Sequence, residues 1–129
     1  WSSFQLEKVI ILEGVLELEQ GKSSEIKRHI NENLEKRWAK HPQLPSAGSV
    51  FRNPSGNIAG RLVEGAGCKG MKAGGAEVSS QHGNFIVNKG NASAADVLTL
   101  IDLVKQKVKD FYGLELELEI RVIGEKGSE

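Results

Sequence analysis

The feature that most constrains the fold is a change of hydrophobic period at Gly113. Before this glycine, apolar residues recur at helical spacing, and Ser93 with Asp96 three residues later has the pattern of a helix N-terminal capping box. After it, apolar and charged residues alternate strictly as far as Val122, which is the period of a strand. The spacing therefore predicts a long helix that ends at Gly113 and a strand over residues 114–123. The predicted buried stripe of this helix consists of Val97, Ile101, Val104, Val108 and Phe111.

The N-terminal third predicts another strand and a second long helix. Residues 9–19 alternate loosely between apolar and polar, and Gly21 then breaks the pattern. Ser23 or Ser24 can cap the following helix, which must end before Pro42. The apolar residues of that helix fall at every fourth position and predict one buried stripe, made of Ile26, Ile30, Leu34 and Trp38.

The middle of the chain is rich in glycine, since residues 46–91 contain ten of the fifteen glycines. The regular elements predicted there are a short helix within residues 57–66 and short strands near residues 76–79 and 84–87. Glycine permits positive φ and close approach of a ligand, so this region suggests a binding site. The order of elements predicts an α+β fold, with two long helices and a short one packed on a mostly antiparallel sheet.

Composition excludes several classes of protein. The 129 residues suffice for one domain with its own core, and 39% hydrophobic and 26% charged residues are globular values. A net charge of zero argues against a nucleic-acid partner, and no apolar run is long enough for a membrane helix. The single Cys68 and three dispersed histidines predict no metal site, and a reducing cytoplasm is the expected compartment.

Two glycine motifs overlap at residues 65–70 (GAGCKG). Their letters match the dinucleotide-binding fingerprint, but that motif requires a strand before it and a helix after it, and neither is predicted here. Residues 67–70 also match the GxxG loop that clamps a nucleic-acid backbone, whose second helix is missing from the pattern. Both interpretations are therefore disfavoured.

The segment 45–54 (PSAGSVFRNP) places hydroxyl, aromatic, cationic and amide side chains between two prolines. From spacing alone, the favoured interpretation is a turn in which Ser49 bonds its own backbone. By periodicity, Glu119 is one of the glutamates on the solvent face of a strand, and Arg37 and Lys40 are the basic end of a helix.

Five segments, in order, resemble one bacterial family, the UDP-N-acetylenolpyruvoylglucosamine reductases, also called UDP-N-acetylmuramate dehydrogenases. They are PSAGSVFRNP at 45–54, AGRLVE at 59–64, GGAEVS at 74–79, HGNFIVN at 82–88 and LELEIRVIG at 116–124. The resemblance covers nearly the whole chain. It implies a cytoplasmic enzyme that makes UDP-N-acetylmuramate for peptidoglycan.

The resemblance also implies cofactors and residue roles. In this family NADPH reduces a bound FAD, the flavin passes a hydride to C3 of the enolpyruvyl group, and a proton is delivered to C2. Ser49 matches the proton donor and Glu119 the catalytic glutamate. Arg37, Lys40 and Asn53 match positions that bind the UDP-sugar. His82 falls near another such position.

By the same resemblance, residues 1–129 are the C-terminal substrate-binding domain of a larger flavoenzyme. Residues 1–7 would lead in from the FAD-binding region, and residues 125–129 would be a frayed tail. A chain that starts at Trp1 and has Met71 as its only methionine also suggests a segment of a longer polypeptide. We expect this chain alone to bind no flavin and to catalyse no reduction. Its expected partners are UDP-N-acetylglucosamine-enolpyruvate and the absent FAD-binding region.

Two features depart from the family pattern. Leu118 stands where the family usually has proline, and the short link from Leu18 to Ser23 resembles variants that lack a tyrosine-bearing loop over the substrate. The alternative function is a non-catalytic module that binds another nucleotide-sugar, although such a module would need neither Ser49 nor Glu119.

Overall fold

The structure is a computed structural model that describes residues 12–124, and these residues divide into two units between Asn33 and Leu34. The described residues form three helices and four short strands. They are α1 (Ser23–Trp38), β1 (Ser46–Ser49), α2 (Ala59–Gly65), β2 (Lys72–Ala73), β3 (Ala76–Val78), β4 (Phe85–Asn88) and α3 (Ala94–Tyr112).

The four strands form one antiparallel sheet in the order β1-β4-β3-β2. The predicted α+β class is confirmed, as are the short helix and the two strands of the glycine-rich middle. Strands β1 and β2 were not predicted. Strand β1 pairs with β4 through Ser46 opposite Val87 and Ser49 opposite Phe85, and the register shifts between these pairs. Gly48 lies at the shift with a φ of +85°, which a side chain would strain.

Helix α3 has the ends that the sequence predicts. The Asp96 amide donates to the Ser93 hydroxyl at 3.1 Å, and the Asp96 carboxylate accepts from the Ser93 amide at 2.9 Å, which completes the capping box. Gly113 closes the helix in the left-handed conformation, and its amide donates to the Lys109 carbonyl oxygen at 2.8 Å.

The core lies between α3 and the sheet. Ile101, Val104 and Val108 are buried as predicted, but Phe111 is 67% exposed, so its place in the stripe was wrong. The buried face of α3 includes Leu100, which was not predicted, and it does not extend to Phe111 in the last turn of the helix. Around α3 the core is completed by buried side chains of the sheet, of α2 and of the connecting loops: Val50, Phe51, Ala59, Leu62, Val63, Cys68, Ala76, Val78, Ile86 and Leu116.

Two predictions for the N-terminal third are wrong in the described residues. Residues 12–22 form no strand, and residues 9–11 lie outside the described part of the chain. No residue of α1 is buried, and its predicted stripe is 36–52% exposed. A four-residue spacing fixes which side chains share a helix face, but it does not supply the surface that would cover them.

The predicted C-terminal strand is reduced to a single antiparallel bridge between Phe51 and Leu118. The alternation itself persists, because Leu116 is buried and Glu117 and Glu119 are exposed. A strand needs a backbone partner along its length. Residues 50–52 are the partner seen in the described structure, so the pairing is short.

The glycines of residues 65–70 have structural explanations. Gly65 ends α2, and its α-carbon faces the Tyr112 hydroxyl of α3. Gly67 and Gly70 have positive φ in the turns that follow. Because a helix precedes this segment and strand β2 follows it, the structure has neither the strand–loop–helix order of a dinucleotide site nor the paired helices of a GxxG loop.

We expect Gly83→Ala to destabilise this fold. A Cβ at Gly83 would lie 2.6 Å from the Gly60 carbonyl oxygen, a backbone atom of α2 that cannot rotate away. Overpacking of this kind costs about 1–3 kcal/mol of unfolding free energy, which urea titration of the chain would measure. Gly14→Ala is the matched control, because a Cβ there meets nothing within 4 Å. Equal effects of the two substitutions would contradict the close packing.

Candidate functional site

Ser49 and Glu119 lie on two neighbouring extended segments. Ser49 is the last residue of β1, and the carbonyl oxygen of the next residue, Val50, accepts a hydrogen bond from the Glu119 amide at 2.8 Å. The Arg52 amide donates to the Glu117 carbonyl oxygen at 2.9 Å, so the pairing continues beyond the site. The sequence places these two residues 70 positions apart, and the fold brings their backbones together.

The Ser49 hydroxyl is half-buried and forms no hydrogen bond with the other residues in the described range 12–124. The predicted turn in which Ser49 bonds its own backbone is therefore wrong. The reason is that β4 takes up this segment as strand β1, with Ser49 opposite Phe85. A hydroxyl in this state can donate to a ligand.

A buried asparagine holds the segment that follows Ser49. Asn84 is 5% exposed, and its side-chain oxygen accepts from the Phe51 amide at 2.9 Å while its side-chain nitrogen donates to the Phe51 carbonyl oxygen at 2.8 Å. The Asn84 carbonyl oxygen also accepts from the Val50 amide at 2.9 Å. Asn84 lies within the HGNFIVN segment at 82–88, but the sequence predicts no role for it. Its residue type is the only signal, because an amide in a run of core residues must have hydrogen-bond partners.

The Asn53 side chain uses its oxygen in a hydrogen bond within the fold. Its oxygen accepts from the Ala59 amide at 2.9 Å and so caps the first turn of α2. The side-chain nitrogen points away from this bond and can donate to a ligand. Asn53 also borders a polar cleft of about 340 Å³, whose lining is Arg52, Asn53, Pro54, Ser55, Glu115 and Glu117.

Arg37 and Lys40 lie where α1 ends, and that end is joined to the loop that carries His82. The Gln81 side-chain nitrogen donates to the Trp38 carbonyl oxygen at 2.7 Å. The His41 ring stacks on His82 with centroids 5.5 Å apart. Arg37 and Lys40 are both exposed, so two cations stand beside this loop.

His82, His41 and Phe85 form a small ring cluster. The Phe85 ring lies 4.9 Å from His82 and 5.2 Å from His41. Nδ1 of His82 accepts from the Asn84 amide at 3.2 Å, which leaves its proton on Nε2. Nδ1 of His41 is buried without a hydrogen-bond partner among the described residues. Gln81, His41 and Phe85 were not predicted as site residues, because their neighbours come from distant parts of the chain.

Desolvation by burial, with a smaller contribution from the charge on His41, lowers the pKa of His82 below its ordinary value. His82 therefore favours the neutral imidazole, which can both accept and donate a hydrogen bond. It borders a shallow cleft of about 200 Å³ lined by Ile58, Gly60, Arg61, Glu64, Gln81, His82 and Gly83.

The predicted residues thus fall into two groups that meet at β4. Ser49, Glu119 and Asn53 lie around the 49–53 segment, and Arg37, Lys40 and His82 lie around the 81–82 loop. Asn84 and Phe85 contact both groups. The cations, the hydroxyl and the amide in this arrangement suit an anionic, polar ligand.

In residues 12–124, no cluster of three or more His, Cys, Asp or Glu residues is arranged to hold a metal ion. No helix in that range is long and apolar enough to cross a membrane.

The sequence profile described as UDP-N-acetylenolpyruvoylglucosamine reductase, C-terminal domain, matches residues 40–123. The UDP-N-acetylenolpyruvoylglucosamine reductase of Syntrophomonas wolfei is 44% identical over 126 residues, which cover 97% of this chain and 42% of that protein. The enzyme of the same name from Desulforamulus reducens is 54% identical over 101 residues, or 78% of this chain and 33% of that protein.

A solved structure is also similar. The crystal structure of UDP-N-acetylenolpyruvylglucosamine reductase from Thermus caldophilus matches with a TM-score of 0.59 and 43% identity, over 80% of this chain and 37% of that one. The present chain spans about two fifths of the length of such curated relatives.

The lowered pKa of His82 predicts a pH-dependent stability. Below about pH 6.5, His82 takes up a proton more readily in the unfolded chain than in the folded protein. The free energy of unfolding therefore falls as the pH drops through that value. Urea titrations of the chain at pH 7.5 and 5.5 measure this loss. His82→Asn, which keeps an acceptor for the Asn84 amide, should make the loss smaller. Ser80→Ala, in the same loop, should not change it; an unchanged loss in His82→Asn would contradict the assignment.

Proposed function

The chain belongs to the UDP-N-acetylenolpyruvoylglucosamine reductase family, and we propose that it is the substrate-binding part of an oxidoreductase that makes UDP-N-acetylmuramate from UDP-N-acetylglucosamine-enolpyruvate in peptidoglycan synthesis. The observation that carries this proposal is the backbone pairing of residues 50 and 119, which sets the Ser49 hydroxyl and the Glu119 carboxylate on adjoining segments. We place the protein in the bacterial cytoplasm, where a reducing environment suits its single unpaired cysteine.

We assign substrate binding to the cations and the amide of the site. Arg37 and Lys40 are exposed and close to the 81–82 loop, where they can contact the diphosphate of the substrate. Asn53 can donate from its free side-chain nitrogen while its oxygen caps α2. His82 can donate from Nε2, because its Nδ1 is occupied by the Asn84 amide.

We assign the proton transfer to Ser49. Reduction adds a hydride to C3 of the enolpyruvyl group, and the carbanion character that develops at C2 and its carboxylate is quenched when a proton reaches C2. The Ser49 hydroxyl supplies that proton and is reprotonated from solvent. We assign to Glu119, on the paired segment, the orientation of the substrate carboxylate. In its protonated form in the closed site, Glu119 donates a hydrogen bond to the oxygen on which negative charge develops.

The flavin does not fit the described residues. The only glycine run that matches a dinucleotide motif is the helix end and turn at 65–70, and the Tyr112 hydroxyl occupies the face of Gly65. We therefore assign FAD, NADPH and the hydride step to the part of the relatives that this chain does not span, and we propose that this FAD-binding region is its partner.

Substrate binding is tested by an amide-resolved NMR titration of the chain with UDP-N-acetylglucosamine. We expect shifts at Arg37, Lys40, Asn53 and the 81–84 loop. Arg37→Ala and Lys40→Ala should each weaken binding about 10-fold, since one charge-assisted hydrogen bond is lost. Lys36→Ala, one position from Arg37, is the matched control and should bind like the parent chain. Chemical-shift changes confined to other residues would refute the assigned site.

The role of Ser49 is tested in the full-length flavoenzyme. Ser49→Ala should slow reoxidation of the reduced flavin by substrate by about 10²–10⁴-fold, because the general acid is lost. Reduction of the flavin by NADPH should stay nearly unchanged. Ser55→Ala, an exposed serine in the following turn, should alter neither half-reaction. Equal slowing of both half-reactions by Ser49→Ala would indicate misfolding and not a lost proton donor.

A further inference from the structure

The 49–53 segment is held from two sides by groups of different kinds. On one side, its backbone pairs with residues 117 and 119 through two hydrogen bonds of 2.9 and 2.8 Å. On the other side, the Asn84 side chain bonds both the amide and the carbonyl of Phe51. A side chain thus takes the place that a neighbouring strand would occupy in a regular sheet.

The pairing of β1 with β4 is irregular just before the residue that this side chain holds. The register of β1 against β4 shifts between Ser46 and Ser49, and Gly48 has a positive φ there. Just after Ser49, backbone hydrogen bonds join Val50 to Asn84 and to Glu119, and Arg52 to Glu117. The backbone amide and carbonyl of the residue between them, Phe51, are instead bonded by the buried Asn84 side chain.

Resting on the function proposed above, we infer that Asn84 is a positioning residue for the proton transfer. Its side chain sets the path of residues 50–51, and that path sets the separation of Ser49 and Glu119. Asn84 contacts neither the substrate nor the reacting atoms in this assignment. This role requires a side chain with one hydrogen-bond donor and one acceptor in the same plane. The asparagine amide supplies both, whereas a carboxylate has no donor.

The substitution Asn84→Asp distinguishes a positioning role from a role in filling the core, because aspartate has nearly the same size and shape as asparagine. The carboxylate can accept from the Phe51 amide, but it faces the Phe51 carbonyl oxygen without a proton to donate. Protonation restores the missing donor, and burial raises the pKa of a carboxyl. The variant should therefore regain the native arrangement as the pH falls, whereas a role limited to volume would give no such recovery.

The matched control is Asn88→Asp, four residues further along the chain at the end of β4. The Asn88 oxygen accepts from the Gly90 and Ala92 amides at 2.8 and 3.0 Å, so a carboxylate can replace it without losing a donor. We expect Asn88→Asp to behave like the parent protein at every pH tested.

In the full-length flavoenzyme at pH 8, Asn84→Asp should lower kcat about 10²-fold, because a displacement of about 1 Å in a catalytic group has an effect of this size. KM should change little, since the cations that bind the diphosphate lie elsewhere. The ratio of variant to parent kcat should rise as the pH is lowered, at temperatures well below the melting of both proteins. A kcat ratio that stays near one, or that is low but independent of pH, would overturn the inference.

A second measurement uses this chain without the flavin region. In Asn84→Asp, the amide resonances of Phe51 and Glu119 should titrate together with one midpoint, and they should approach their parental positions at low pH. Independent titration of the two amides would also overturn the inference. If the parental full-length protein fails to reduce UDP-N-acetylglucosamine-enolpyruvate, the proposed function falls, while the coupled titration still tests the arrangement itself.

Discussion

The described fold depends on the burial of two adjacent residues, Val50 and Phe51, which are 2% and 1% exposed. Their side chains enter the core beneath α3, a change worth roughly 1.5–3 kcal/mol for each large apolar side chain. Their backbone groups enter it too and must find partners there. Those partners are Asn84 and the 117–119 segment. The core therefore dictates which residues flank Ser49, and the proposed chemistry uses an arrangement that packing already requires.

The ring cluster depends on a different constraint, the contact between two glycines. Gly60 in α2 and Gly83 in the loop before β4 approach so closely that a Cβ on Gly83 would meet the Gly60 carbonyl oxygen. A Cβ on Gly60 would meet the His82 ring at 3.3 Å. The absence of side chains at these two positions lets α2 support His82, which in turn contacts His41 and Phe85.

Local signals predicted the elements whose determinants lie within a few residues of one another. The ends of α3 follow from Ser93, Asp96 and Gly113, and each was confirmed. The errors concern partners that are distant in sequence. The apolar residues of α1 recur at the period of a helix, and those of residues 12–19 recur loosely at the period of a strand. In the described structure, no surface covers either set. Strand β1 was missed because its four residues, SAGS, are typical of a turn and become a strand only through pairing with β4. The roles proposed for Ser49 and Glu119 came from family resemblance, since periodicity made both residues ordinary.

The departure at Leu118 shows how the pairing tolerates change. Proline, which the family usually has at this position, lacks an amide hydrogen and is normally excluded from paired strands. Yet the two hydrogen bonds beside the Phe51–Leu118 bridge use the Glu119 amide and the Glu117 carbonyl, and neither involves the amide of residue 118. Either residue can therefore occupy the position without loosening the segment that carries Glu119. What leucine adds is apolar contact, since Leu118 packs against the core while half-buried. The geometry that joins Glu119 to the Ser49 segment thus depends on the backbone of residues 117 and 119, and on the asparagine that holds the other side.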